Sequence, residues 1–277
     1  MSPRFKVLAI GVLMCAAVSL CAAQTASKPS IPVDQIIHKF AAAESENKNA
    51  RNYYTFTQDY DVRTIGLGGN VSGEFHRISD IVLDDRGNRF EKITYFPAST
   101  LDGLQITNED LQDLAGVQPF ALTLEDLPKY QIDYVGKERI DELNTYIFEV
   151  KPKKIVNGQR YFQGRIWVDD RDLQVVKAAG QAVPRVENQA FPHFETYREN
   201  IDGKYWFPTY TYADDMLDFK NAPSIHMRMV IRFTNYKKFS TDIRIAGGNP
   251  VDDDQKDSSG TGTKKPDAKP VPPPKER

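Results

Sequence analysis

Alternation of apolar and polar residues is the dominant pattern of this chain. Apolar side chains recur at alternate positions over residues 54–62, 71–83 and 225–233, and Arg77 and Ser79 interrupt the apolar face of the second segment. A period of two places successive side chains on opposite faces of a β-strand. These segments are therefore predicted to be strands with one apolar and one wetted face.

The middle of the chain, residues 146–176, is predicted to form an antiparallel meander. Its apolar runs are separated by Asn157-Gly158, the dipeptide favoured in type I′ hairpin turns, and by the polar run Asp169-Asp170-Arg171-Asp172. Further strands are predicted at 89–96, 130–135, 194–201 and 205–212. Within the last of these, Pro208 indicates an edge strand or a bulge.

One amphipathic helix is predicted near the beginning of the chain, from Val33 to about Asn47. Pro32 suits a helix start, and Ile36, Phe40 and their neighbours form a narrow apolar stripe at helical spacing. Glu44, Glu46 and Lys48 are interpreted as its solvated end. A narrow stripe is typical of a helix that lies on a flat surface such as a sheet.

Residues 97–127 break the alternation and are predicted to form an apolar flap. Thr107 and Asp110 resemble a capping box, which would start a short helix carrying Leu111 and Leu114 on one face. Phe120 belongs to the same apolar segment. A connection of this length in a compact domain is usually functional.

The fold class predicted from these elements is mainly β (α+β). About ten antiparallel strands form a large curved sheet, a half-barrel, covered by the N-terminal helix and the short helical flap. A parallel sheet is excluded because strands and helices do not alternate along the chain. Antiparallel sheets of this kind often keep one face in water.

The two ends of the chain are predicted to lie outside the fold. Arg4 and Lys6 precede an apolar run that ends at Cys21-Ala22-Ala23, which is typical of a cleaved secretory signal peptide over residues 1–23. An uncleaved anchor is the alternative, although the run is short for a bilayer. The predicted organisation continues with a flexible N-terminus at 24–31, the half-barrel domain at 32–246, and a disordered, charged, Pro-rich tail at 247–277.

Composition argues against two kinds of function, thiol chemistry and nucleic-acid binding. Both cysteines, Cys15 and Cys21, lie in the predicted signal peptide, so the exported chain would have no thiol nucleophile and no thiolate metal site. The formal net charge is −2, and removal of the signal peptide makes it more negative. This balance argues against a nucleic-acid partner, which would require a basic stripe.

No cofactor motif, metal site or catalytic set is predicted. Gly66, Gly68 and Gly69 lack the strand-to-helix context of a phosphate-binding loop. His193 and Glu195 could share a strand face, but a surface pair is favoured because a third metal ligand is missing. The acidic residues of the first hairpin could pair as acid and base; a wetted sheet face is the preferred interpretation (Asp59, Asp61, Glu74, Asp80).

The apolar face of the sheet is the remaining candidate site. Seven residues of three strands are predicted to line a ligand-binding surface: Phe56, Tyr60, Phe75, Arg77, Met227, Met229 and Phe233. Methionine suits surfaces that accept variable apolar shapes. The alternative is that helix and flap fill this face as an ordinary core, because most apolar strand positions serve packing.

The sequences YIFEVKPKK and RYFQGRIWVDDRDLQVVKAAG resemble the central meander of LolA-like outer-membrane lipoprotein-sorting proteins. The resemblance rests on Trp167-Val168-Asp169, the acidic turn after it and Lys177, and it covers roughly residues 31–239. It implies a periplasmic carrier that holds acyl chains on a concave apolar face, without cofactor or catalysis. It also implies a lipid or acylated lipoprotein as ligand and a transfer partner at the inner or outer membrane. Arg77 is the nearest counterpart of an arginine that the family carries within a strand.

Two functional hypotheses follow. The first is a periplasmic, non-catalytic carrier of lipid or lipoprotein. The alternative is a cell-envelope sensor or scaffold of the same fold, with a filled core and an interaction mediated by the charged tail.

Overall fold

The fold is a single antiparallel sheet with one long helix on it. The computed structural model describes residues 29–83, 88–107, 110–111, 120–185 and 191–239. The chain divides into Met1–Phe239 and Ser240–Arg277, and the second unit lies outside the described residues. The predicted signal peptide at 1–23 and the predicted tail at 247–277 also lie outside the described residues and remain predictions.

Ten strands form the sheet within the described residues, and all of their pairings are antiparallel. The strand order is β3-β2-β1-β10-β9-β8-β7-β6-β5-β4, so β3 and β4 are open edges. The strands are β1 (Tyr54–Ile65), β2 (Val71–Leu83), β3 (Arg89–Tyr95), β4 (Tyr130–Ile140), β5 (Leu143–Pro152), β6 (Tyr161–Asp169), β7 (Val175–Val183), β8 (Phe194–Ile201), β9 (Tyr205–Phe219) and β10 (Ala222–Lys238). The predicted mainly-β, open half-barrel class is confirmed.

The two faces of the sheet differ as the alternation predicts. In β1, side chains at even positions are buried, whereas those at odd positions are partly exposed up to Arg63. We call the face that carries Tyr60 the covered face and the opposite one the outer face. Asp59 and Asp61 lie on the outer face, where they pair with His76 and Arg63 at 2.9 and 2.8 Å, so the wetted-face interpretation is correct.

Helix α1 (Val33–Arg51) packs across the covered face at the β5–β9 end of the sheet. Pro32 is its N-cap, and Ile36, Phe40 and Ala41 are fully buried. The Phe40 ring centroid lies 5.4 Å from that of Phe148 on β5. The helix extends beyond the predicted end, because its last turns also contact the sheet.

Two turns test the local predictions. Gly158 has a positive φ of 77°, but Asn157 does not, so the predicted type I′ turn is wrong. The loop after β5 is longer than a two-residue hairpin, and its Val156 carbonyl accepts from the Gln159 amide at 3.2 Å. The second polar turn forms as predicted, with Asp169 Oδ2 accepting from the amide of Asp172 at 2.9 Å.

Pro208 lies in β9, which is paired on both sides, so the edge-strand alternative is wrong. Instead the register shifts where Arg198 pairs with Pro208, which is the predicted bulge. No helix in the described parts of the chain combines the length and apolarity needed to cross a membrane.

Candidate functional site

All seven residues of the predicted ligand surface lie on the covered face, on the adjacent strands β2, β1 and β10. The register places Tyr60 between Arg77 and Ile231, and Val62 between Phe75 and Met229. Phe56, Met227 and Phe233 share the same parity on β1 and β10. The strand pairing therefore assembles one continuous patch from three separate parts of the sequence; we call it the apolar patch.

The apolar patch is closed by the chain's own residues. None of its seven residues is more than 9% exposed. Residues 96–107, which we call the cover segment, run over it without helix or strand. Their apolar side chains pack on the core: Leu101, Leu104 and Ile106.

Two residues of the cover segment, Thr100 and Asp102, hydrogen-bond to neighbouring strands. Its Thr100 amide donates to the Glu74 carbonyl of β2 at 2.9 Å, and its Asp102 amide to Thr64 Oγ1 at 3.3 Å. The close approach requires Gly73, because a Cβ there would lie 2.1 Å from the Thr100 carbonyl oxygen. Residues 97–100 are exposed. A segment without helix or strand, exposed over four of its residues, is a candidate for local opening.

Polar groups interrupt the apolar patch on β1 and β2. Arg77 Nη2 pairs with Glu91 Oε2 at 2.5 Å, while its buried Nε has no hydrogen-bond partner among the residues that the structure describes. Ser79 Oγ, two positions further along the same face, is also buried without a partner, and Gln58 lies opposite Ser79. Burial, followed by the charge of Glu91, raises the pKa of Tyr60, so its phenol stays protonated. Buried polar atoms normally find partners, so these free groups offer bonds to a ligand.

A buried arginine on β8 joins the helix and Phe120 of the predicted flap to the covered face. Arg198 Nη1 donates to Glu44 Oε1 of α1 at 2.5 Å, and its Nη2 donates to the carbonyl of Phe120. The two side chains are 3% and 1% exposed. Glu44 was expected at the solvated end of the helix; this interpretation is wrong, because the helix end packs over β8.

The predicted flap is only partly described. Asp110 Oδ2 accepts from the Thr107 amide at 2.8 Å, and Thr107 Oγ1 accepts from the Asp110 amide at 3.1 Å, which is a reciprocal capping box. Leu111 is partly buried against the core, whereas Leu114 lies outside the described residues. Phe120 stacks on Phe162 of β6 at 4.4 Å, so it covers the opposite half of the sheet from the apolar patch.

The sequence did not indicate two features of the covered face. One is the Glu44–Arg198 pair. The sequence showed only that Arg198 lies an even number of residues after the apolar Phe194, which places both side chains on the same face of β8. The other is which part of the predicted flap closes the apolar patch: its first residues, 97–107, do so, whereas Phe120 covers the other half of the sheet. No group of three or more His, Cys, Asp or Glu side chains that could hold a metal ion occurs among the residues that the structure describes.

No protein-family model matches the sequence, and no curated protein matches it. Solved structures with a similar fold include a DUF1329 family protein from Desulfovibrio piger, with 17% identity, a TM-score of 0.36, and coverage of 77% of this chain and 94% of that chain. They also include the LolA superfamily protein NE2245 from Nitrosomonas europaea, with 13% identity, a TM-score of 0.32, and coverage of 72% and 94%. A LolA superfamily protein is thus among the neighbours, as the sequence resemblance predicts. At identities and TM-scores this low, neither likeness carries an argument about function.

Proposed function

We propose that this chain is a non-catalytic carrier of lipid or acylated lipoprotein in the periplasm, and that the apolar patch holds the acyl chain. One observation supports the proposal most: a continuous buried patch of aromatic and methionine side chains contains polar atoms without partners. Arg77 Nε and Ser79 Oγ are those atoms. Most buried polar side-chain atoms in a packed core have a hydrogen-bond partner, so two such atoms on one apolar patch support a site for a ligand.

The apolar patch can bind both the acyl chain of such a ligand and the polar group at the end of that chain. An acyl chain gains about 0.8 kcal/mol per buried methylene, so about ten methylenes give roughly 8 kcal/mol before association costs are subtracted. The Arg77 guanidinium and the Ser79 hydroxyl can donate to the ester or carboxylate oxygens at the end of the chain. The net affinity would permit reversible binding, which a carrier requires.

Entry to the patch requires movement of the cover segment. It carries no regular structure. Thr100 hydrogen-bonds to the Glu74 backbone of β2, Asp102 hydrogen-bonds to Thr64 of β1, and the Phe96 ring packs on Phe75 of β2 at 5.4 Å. The side of the sheet under α1 is held more firmly, by the Arg198–Glu44 pair and the buried Phe40. We therefore place the opening at the β2 end of the sheet and not under the helix.

Closure of the patch by the chain itself favours the alternative function, a sensor or scaffold with a filled core. In that case the cover segment never leaves the patch, and the tail beyond residue 246 carries the interaction. The two functions differ in one measurable property. A carrier must take up an acyl ligand, and a scaffold with a filled core does not.

A disulfide that pins the cover segment to β2 is expected to block acyl uptake. Thr100 Oγ1 accepts from the Glu74 amide at 3.0 Å, so cysteines at these two positions can approach each other. Both positions lie away from the core. In the chain from residue 24 onward, oxidised Glu74→Cys/Thr100→Cys should bind a dansyl-labelled fatty acid at least about tenfold more slowly than its reduced form, a barrier increase of roughly 1.4 kcal/mol.

Stopped-flow fluorescence measures this rate, and each single cysteine variant is the matched control, because it cannot form the crosslink. Equal rates before and after reduction would place the entry elsewhere. Failure of the unmodified protein to take up the probe at all would contradict the carrier function and support a filled core.

A further inference from the structure

The outer face of the sheet carries a groove that the acyl site does not use. It has a volume of about 570 Å³ and lies over β5 to β9, behind the half of the sheet on which α1 packs. This volume is within the range of sites that bind small molecules, about 300–1,000 Å³. The polar and aromatic side chains of its lining are Glu149, Gln163, Arg165, Trp167, Gln181, His193, Glu195, Tyr212 and Asp214.

Strand register explains why a hollow forms there. Ala179 of β7 lies between Arg165 of β6 and Glu195 of β8, and Glu149 and Tyr212 continue the same row across β5 and β9. One short side chain in a row of long ones leaves a gap at its centre. Gln163 and Gln181, which pair across β6 and β7, form one end of this gap.

The opposite end of the groove is rigid. Trp167 Nε1 donates to Glu138 Oε2 at 2.7 Å, and the Lys177 ammonium lies 4.9 Å from the indole ring. Lys177 also pairs with Glu195 at 2.9 Å, and Glu195 accepts from the Tyr197 hydroxyl at 2.7 Å. Burial raises the pKa of Glu195, but these two donors outweigh it and lower the pKa overall, so the carboxylate remains an acceptor at neutral pH.

Three other side chains around the gap have polar groups that are available to a ligand. In the described parts of the chain, the side chains of Arg165, Gln163 and Glu149 make no hydrogen bond or ion pair. Together they present a donor-only guanidinium, a carboxamide that both donates and accepts, and an acceptor-only carboxylate. Planar groups of these three kinds, in a groove also lined by Trp167 and Tyr212, can each bind neighbouring hydroxyl groups of one ligand.

We propose that this groove binds a neutral oligosaccharide. A phosphorylated or otherwise anionic ligand is disfavoured, because the groove has no excess of positive charge. Lys177 and Arg228 are already paired with Glu195 and Asp214, and the guanidinium of Arg165 lies beside the carboxylate of Glu149. An extended peptide cannot add a strand here, because the backbone groups of β5 to β9 are already paired on both sides. A hydroxyl-rich ligand matches the mixture of donors and acceptors, and the Tyr212 ring offers its C–H groups an apolar surface.

The two tryptophans of the chain make the proposal testable. The variant Trp206→Phe keeps Trp167 as the one indole, and Trp206 is outside the groove lining. Titration of this variant with maltotetraose, cellotetraose or tetra-N-acetylchitotetraose should give a saturable change in fluorescence with at least one of them. Calorimetric titration of the unmodified protein with the same sugars provides the comparison without any substitution.

Filling the gap should abolish this binding. Added to Trp206→Phe, the substitution Ala179→Leu is expected to raise the Kd at least about tenfold, while Glu199→Gln, on an exposed β8 position outside the groove, should leave it unchanged. Uptake of the fatty-acid probe should be the same in all three variants, since the acyl site is on the other face. Absence of binding for all three sugars in both assays, or an unchanged Kd in Ala179→Leu, would overturn the proposal.

Discussion

Replacement of Arg198 by methionine is expected to lower the free energy of unfolding by about 3–5 kcal/mol. The substitution leaves the Glu44 carboxylate buried without its cation, and removal of one partner of a buried ion pair costs this much. It also removes the donor to the Phe120 carbonyl, a hydrogen bond that holds this part of the predicted flap on the covered face. Urea denaturation followed by circular dichroism measures the change.

Two further variants isolate the cause. Arg228→Met removes an arginine of comparable size whose partner Asp214 is 2.9 Å away on the outer face, where an exposed pair contributes about 0–1 kcal/mol. The double variant Glu44→Leu/Arg198→Met should regain most of the loss, because no buried charge remains. An equal loss of unfolding free energy in Arg198→Met and Arg228→Met would contradict the conclusion that Arg198 stabilises the fold through a buried ion pair with Glu44.

Replacement of Phe40 by alanine is expected to cost about 3–5 kcal/mol of stability, the usual range for phenylalanine in a core. Phe40 is fully buried and its ring packs on Phe148, so the substitution leaves a cavity between α1 and β5. The neighbouring Lys39→Ala, on the exposed side of the helix, should change stability by no more than about 0.5 kcal/mol. A loss for Phe40→Ala within that smaller range, in the same denaturation assay, would mean that α1 does not dock on the sheet.

The strands and the shared face of the apolar patch could be predicted from the sequence, because alternate residues of a strand point to the same face and are buried together. Phe75, Arg77 and Ser79 differ in polarity but share parity, so Arg77 was predicted to interrupt the apolar face of β2, and it does so. The boundaries of β9 and β10 could not be predicted. Both strands extend several residues beyond the part in which apolar and polar residues alternate regularly. Backbone pairing between neighbouring strands continues there although the apolar pattern has ended.

Long-range packing accounts for what the sequence did not reveal. Glu44 resembles any solvated helix residue until α1 is placed over β8, where Arg198 neutralises it. The Asn157-Gly158 prediction failed because turn preference decides only when the strands meet at the turn, and here β5 ends before it. The outer groove depends on Ala179, Arg165 and Glu195 lying side by side, and three strand pairings determine that alignment.

The most direct test of the carrier function is photo-crosslinking of a fatty acid that carries a diazirine in its acyl chain. The protein is irradiated with the bound probe, and labelled residues are mapped by mass spectrometry, with excess unlabelled fatty acid as competitor. The labels are expected on the apolar patch of β2 and β10, at Phe75, Met227 and Met229, and competition should remove them. Labels confined to the outer face, or labelling that the competitor leaves unchanged, would contradict the account.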